Sequence, residues 1–352
     1  MASSEDPRRS PSAGECRRDD DQRSGVAHGH CAAYDLFLKA RALVNRRDSS
    51  AHPQPIELFE QVIEKDPAFA PAYAGLVNAY AFMSMSPYRQ SEPGRSIGGP
   101  ARDESVYRIS ADGARSTMRV HAARALELDP LLAEAHAAMG WVYSRELEWA
   151  NAERSFQRAL ELNSTLTQVY VDYSLSTLRP IGKQREAERL LKLAMTNDPL
   201  SLELRRELAN VQLDTGQYAE AVANLERALA QDPEFPATNL SRALSLAGRV
   251  PEAMSLFQKQ GPGAQQYLAH AYVRAGRRAE AERLAAANRG FPFREAIIYA
   301  ALGDKDRSFE ALERMAATEP QRLGLTLMFP EIAVLRDDPR YAALRKKLRL
   351  PS

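Results

Sequence analysis

Three groups of residues have types and spacing from which chemistry could be built. Gly94, Ser96 and Gly98 spell G-x-S-x-G, the pattern that in hydrolases sets a nucleophilic serine on a sharp turn between a strand and a helix. Here Pro93 and Pro100 bracket it in a polar stretch with no strand pattern before it, so the match reads as chance within a loop. His28, His30 and Cys31, with Cys16 upstream, offer imidazole and thiolate donors that suit zinc. Their spacing fits no zinc module and nothing beside them fixes a geometry, so no metal site is expected. His121, His136 and His270 stand at helical positions, where packing or lining a groove is the ordinary role. No phosphate-binding loop and no paired catalytic carboxylates stand out. The sequence predicts a protein that is not an enzyme and needs no cofactor.

Composition narrows the remaining classes. The 47 basic and 46 acidic side chains nearly cancel, so no global field draws the chain to nucleic acid or to an anionic membrane, and neither is expected as a partner. The basic run from Arg336 to Arg349 fits a solvated last helix whose cations complement its own dipole. No stretch approaches the ~18–20 apolar residues that span a bilayer, and the polar N-terminus lacks the apolar centre of a signal peptide. Two cysteines are too few for a disulfide framework. The cytoplasm is the expected compartment. Residues 1–31, rich in Ser, Arg and Asp, are expected to form a disordered polar leader.

The elements that would position any site follow from self-similarity. ALELDP at 125–130, ALELNS at 159–164, AMTNDP at 194–199 and ALAQDP at 228–233 are one motif, at spacings of 34, 35 and 34 residues. Within each unit a small residue (Ala152, Ala187, Ala221) is followed four positions on by a large one (Phe156, Leu191, Leu225). Upstream runs a second pattern of large, small and aromatic residues, as at Tyr73, Leu76, Val77 and Tyr80 or at His136, Met139, Gly140 and Tyr143. Two antiparallel helices approach closely only where side chains are small, and large residues fill the flanking holes. Gly182, Gly216, Gly248, Gly276 and Gly303 fall between the two helices of a unit, and Pro67, Pro130, Pro199, Pro233 and Pro320 follow the second. Together these predict eight helix pairs at 33–67, 71–129, 133–163, 167–198, 202–232, 236–260, 264–289 and 292–319. An inserted loop at 84–103 interrupts the second pair, and a segment from 320 onward caps the array.

With these motifs the chain resembles the tetratricopeptide-repeat family over residues 33–320. The resemblance implies an all-α fold, a right-handed superhelical solenoid of stacked antiparallel helix pairs. Within that family, AYDLFLKARALVNRR, LFEQVIEKDPAFAPAYAGLVNAY, IIYAALGDKDRSFEAL and RDDPRYAALRKKLRL are similar to repeat arrays fused to bacterial winged-helix, kinase or cyclase regulators. The leader is far too short for such an output module. A detached or truncated sensor-type array is the corresponding expectation.

The family's concave face is built mainly from the first helix of each pair and receives a peptide. The repeat phase puts Asn78, Glu134, Trp141, Arg145, Asp172, Arg206, Asn210, Asp214, His270 and Arg274 on that face. Arg206 and Asn210 lie one helical turn apart and could meet one carboxylate, as in carboxylate-clamp repeats. Ala74 and Ser241 depart from that clamp, standing where a cation and an asparagine are wanted, and a plain solvated face is the competing reading. Trp141 could be an exposed anchor or could be buried between units. The expected function is a non-catalytic scaffold that binds a protein or peptide on the concave face. The alternative is a sensory or regulatory input array that binds a small ligand or peptide for a separate output module.

Overall fold

The Asp-Pro step and its Asn-Ser variant build the same turn at four places. Asp66, Asp129, Asn163 and Asp232 each accept, through Oδ1, the backbone N–H two residues on at 3.0–3.1 Å, a turn that short acidic and amide side chains favour. The next helix then reaches back across it. Tyr73 donates to Pro67 O, His136 Nε2 meets Pro130 O, Tyr170 donates to Ser164 O and Arg205 donates to Pro199 O. Ser164 thus keeps the geometry without the proline.

Where the turn inside a pair is described, the chain reverses through a left-handed residue. From the third pair on, these are Leu147, Gly182, Gly216, Gly248, Gly276 and Gly303, with φ between 59° and 88°. The N–H that follows each of them closes on the carbonyl five residues back, from Glu148 to Tyr143 through to Asp304 and Tyr299, which ends the helix with its last carbonyls satisfied. Leu147 does this with a Cβ, at a cost of about 1–2 kcal/mol.

The computed structural model describes residues 25–46, 53–85, 111–260 and 262–351, and among them every regular element is helical. Among the described residues up to 319 the α-helices group into eight consecutive pairs. Pair one is Gly25–Arg46 with Pro53–Lys65, pair two Ala70–Met85 with Ala111–Leu128, pair three Ala133–Arg145 with Trp149–Leu162, and pair five Leu202–Asp214 with Tyr218–Gln231. Pair four is Thr167–Tyr173, continued by the π-turn Ser174–Leu178, with Gln184–Asn197. Pairs six, seven and eight are Thr238–Leu246 with Val250–Gln258, Gln265–Arg274 with Arg278–Ala287, and Pro292–Leu302 with Lys305–Thr318. The first helix starts at Gly25, inside the stretch read from sequence as leader. The 86–110 connection, and with it most of the 84–103 insertion, lies outside the described residues. No helix is long and apolar enough to cross a membrane among the residues described.

The chain divides into two compact units, one running to Val142 and the other from Tyr143. In the first unit, Phe37 packs against the rings of Phe59 and Phe69 at centroid distances of 6.0 and 5.1 Å. Gly75 lets the first helix of pair two press on Phe59, because a Cβ there would stand 2.5 Å from the ring.

In the second unit the residue five positions after each left-handed turn is small and wholly buried: Ala152, Ala187, Ala221, Ala253, Ala281 and Ser308. Four positions further, Phe156, Leu191, Leu225, Phe257, Ala285 and Leu312 fill the gap beside it. The single 35-residue step also has a physical form. Arg179 N–H bonds Ser174 O, five residues back, and this π-turn absorbs the extra residue without breaking the helix.

Residues 320–350 do more than cap the last pair. They form Pro320–Thr326, a 3-10 turn at Pro330–Leu335 and Pro339–Lys347, and they fold back onto pairs three, four and six. Trp149 Nε1 donates to Leu348 O at 2.9 Å across 199 residues of chain. Gly324 lies so close to Pro180 that a Cβ would meet it at 3.3 Å. Leu323, Leu327, Ile332, Leu335, Leu344 and Leu348 are at most 1% exposed, in one cluster with Trp149 and Ile181. At ~1.5–3 kcal/mol per buried side chain, these six contribute on the order of 10–15 kcal/mol. The segment's apolar side chains share one cluster with those of the repeats they lie on.

Its polar fastening is the Glu331 carboxylate, which accepts from Arg242 Nε and, at 2.7 Å, from Arg242 Nη2. Both side chains are buried. The guanidinium also lies 4.2 Å from the Phe329 ring centre and 5.0 Å from that of Tyr267, where cation–π attraction adds to the pair. Burial works against the charged carboxylate, but Arg242 outweighs it and holds the Glu331 carboxyl below its usual range.

Two outcomes are expected from this packing. Gly75→Ala forces a methyl into the Phe59 ring and lowers the stability of the first unit by about 1–3 kcal/mol, read as a drop in Tm. Phe59→Leu in the same background restores part of the loss. Glu331→Gln leaves Arg242 buried without its anion and costs about 3–5 kcal/mol, whereas Arg242→Met with Glu331→Leu comes close to wild type. Because the folded Glu331 carboxyl is depressed, its contribution is present above the unfolded-state carboxylate pKa and is lost as pH falls through the lower folded value. Denaturant titration between neutral and acid pH therefore shows a steeper decline for wild type than for the double variant.

Candidate protein-interaction surface

The first helices of the pairs carry the residues that the repeat phase assigns to the binding face. Three of the ten belong to the first unit. Asn78 and Glu134 are half-buried, and Trp141 is buried at 2% exposure, so the indole is a packing residue and presents no surface to a partner. The other seven belong to the second unit, where they divide into a buried set and an accessible one.

The buried set is centred on Arg179, at the end of the π-turn. The wider turn brings this side chain inward, where Nε donates to Asp214 Oδ2 at 2.7 Å and Nη1 to Glu207 Oε1 at 3.2 Å. Ser174 donates to the same Glu207 oxygen at 2.8 Å. Arg179 and Glu207 are 2% and 3% exposed in their side chains, and that of Asp214 is wholly buried. Burial pushes the Asp214 carboxyl upward, against the pull of Arg179 and Arg242. Asp172 is likewise buried and accepts from Gln168 Nε2 at 2.8 Å. Next to this network Ser144 Oγ and Thr177 Oγ1 share a hydrogen bond of 2.8 Å, with Ser176 beside them. Asp172 and Asp214 thus serve the interior of the unit.

The accessible set is Arg145, Arg206, Asn210, His270 and Arg274. Arg145, Asn210 and His270 are half-buried and Arg274 is exposed. The Arg206 guanidinium, with 24% of its side chain exposed, pairs with Glu203 one turn back. Asn210 donates to Glu207 Oε2 at 3.3 Å. The two residues that could have shared one incoming carboxylate each have a glutamate of their own helix. Burial lowers the His270 pKa, opposed by the nearby Glu331 carboxylate and reinforced by Arg274 and Arg242, so the imidazole is neutral near pH 7.

Of the other histidines, His121 lies 5.8 Å from the Tyr73 ring and His136 serves its own turn. The Gly94, Ser96 and Gly98 motif and Cys16 lie outside the described residues. Nothing is described of the side chains of His28, His30 and Cys31. Among the described residues no three His, Cys, Asp or Glu side chains gather as metal ligands.

Repeat phase alone does not reveal Arg179, Glu207, Arg242 or Glu331. The 35-residue step is the signal for Arg179, and for Arg242 it is a lone cation within the otherwise small and apolar stretch SRALSLAG. Nothing local marks Glu331, because its partner lies 89 residues away.

A family model described as tetratricopeptide repeat matches residues 182–238 and 212–267, and a second of the same description matches residues 135–170. No curated protein matches by sequence. Among solved structures the chain is similar to the APC/C hetero-tetramer Cut9–Hcn1, with a TM-score of 0.52 and 13% identity over 92% of this chain and 56% of that one. It is also similar to the human IFIT1 dimer with PPP-AAAA, with a TM-score of 0.50 and 16% identity over 90% and 72% of the two chains. A third likeness, to a thermophilic TPR protein of Thermus thermophilus, has a TM-score of 0.43 and 17% identity over 63% and 99%. At such identities the likeness concerns the fold. Paired helices at a 34-residue period coincide with the family matches, so residues 135–170 and 182–267 are tetratricopeptide repeats.

Proposed function

We propose that the chain is a non-catalytic scaffold that binds a protein or peptide on the face formed by its first helices. One observation carries this reading. The first helix of pair six already holds a polypeptide stretch that is not a repeat, Phe329-Pro330-Glu331, through Arg242, whose guanidinium lies between the Phe329 ring and that of Tyr267 on pair seven. A face that grips one such segment has the groups needed to grip another, and first helices of the second unit also carry the accessible side chains of Arg206, Asn210, His270 and Arg274.

The partner's contribution on this face is a carboxylate. Arg206 pairs with Glu203 in a partly exposed i, i+3 geometry, and such pairs are worth at most ~1 kcal/mol. The guanidinium can therefore turn to an incoming acid at little cost. Arg274 is exposed in the next pair but one. With a net charge of +1, the chain has no long-range attraction for polyanions, and neither nucleic acid nor membrane forms part of this reading.

The test compares wild type with an Arg206→Ala, Asn210→Ala, Arg274→Ala variant by affinity capture from native lysate with mass-spectrometric identification. The variant is expected to melt within about 0.5–1 kcal/mol of wild type, since only surface and partly exposed groups change, and to lose a protein that wild type retains. Equal retention of the same protein by both would sink the assignment of these residues to the interface.

A further inference from the structure

A segment that only caps a stack of helix pairs touches the last pair. Residues 320–350 instead reach back to Trp149, Pro180 and Arg242, and they contain no helix pair of their own. At the centre of the segment the backbone of Phe329 is extended, with φ −65° and ψ 136°. The side chains on either side of Pro330 meet one receptor group. Phe329 lies against the Arg242 guanidinium at 4.2 Å, and Glu331 takes that guanidinium in a two-point pair. The chemistry is that of peptide recognition, with an aromatic ring and a carboxylate two residues apart read by one arginine between two rings.

We propose that residues 320–350 are an internal ligand of the second unit, and that the Arg242 surface reads peptides carrying an aromatic residue and, two positions on, a glutamate. This deepens the scaffold reading, since it names a ligand class for part of the same face. It also assigns a regulation. In the intact chain Glu331 holds the guanidinium and the apolar side chains of the segment fill the space around it, so a peptide of this class enters only by exchange with the segment. The face around Arg242 is closed in cis, while Arg206 and Arg274 stay accessible.

The test uses the full chain with a protease site introduced at the junction between Thr318 and Pro320, cut and uncut. The probe is a fluorescent synthetic peptide of residues 320–350. The uncut chain is expected not to bind it. The cut chain is expected to exchange its own fragment for the probe and to keep its helical circular dichroism. A probe with Glu331→Gln binds at least about 100-fold more weakly, because it leaves a buried guanidinium unpaired, and a Phe329→Ala probe is also weakened.

Placing the substitutions in the peptide keeps the receptor's folding out of the comparison. Equal binding by cut and uncut chains would overturn the proposal, as would equal binding of the Glu331→Gln probe. Unfolding of the cut chain would overturn it too, since a receptor survives the exchange of its ligand. The lysate comparison of the Arg206, Asn210 and Arg274 variant can fail without touching this result, and the reverse also holds.

Discussion

Two antiparallel helices can pack only as closely as their smallest facing side chains allow, and that constraint phases the whole second unit. Ala152, Ala187, Ala221, Ala253, Ala281 and Ser308 recur at one register and are wholly buried. Each sets the helix separation that lets a residue four positions on, such as Phe156 or Leu225, complete the layer. The left-handed residue five positions upstream is fixed relative to this contact, as are the Asx turns at Asn163 and Asp232 downstream of Ala152 and Ala221. Hence the period survives even where individual side chains drift, as with Ser164 for proline or Leu147 for glycine.

Against that regular background the polar interior stands out. Arg179, Glu207 and Asp214 form one buried group, and Arg242 with Glu331 another. Buried ion pairs add little net stability over apolar residues of equal volume, but breaking one is costly. Their effect here is directional, because each guanidinium accepts only one arrangement of neighbouring elements. Arg179 ties the π-turn of pair four to the first helix of pair five. Arg242 selects the register at which the C-terminal segment lies on pair six, while the apolar cluster around Trp149 and Leu327 supplies most of the free energy of docking.

The same segment divides the face built by the first helices. Where it lies, the groups are paired and dry; where it does not, Arg206, Asn210 and Arg274 meet solvent. The two sets of groups therefore differ in energetics: the accessible residues hold weak surface pairs, whereas Arg242 is held by contacts that the chain makes to itself.

Local pattern determined much of this protein. The repeat period and the turns that mark it were legible because each depends on residues within one 34-residue unit, as with Asp129 and the Leu131 N–H or Gly216 and its helix end, whereas the helical start at Gly25 was not. The repeat phase also put its ten candidate residues on first helices. It could not say which of those residues stay accessible. Trp141, Asp172 and Asp214 sit at the right phase and are buried, because what covers Asp214 is decided by Arg179 from the preceding pair. The return of residues 320–350 rests on contacts such as Trp149 with Leu348 and Arg242 with Glu331, 199 and 89 residues apart. A contact at that separation leaves no periodic trace in sequence, since neither partner's neighbours need change to accommodate it. Only the tertiary structure could decide that residues 320–350 return to cover Arg242 on pair six.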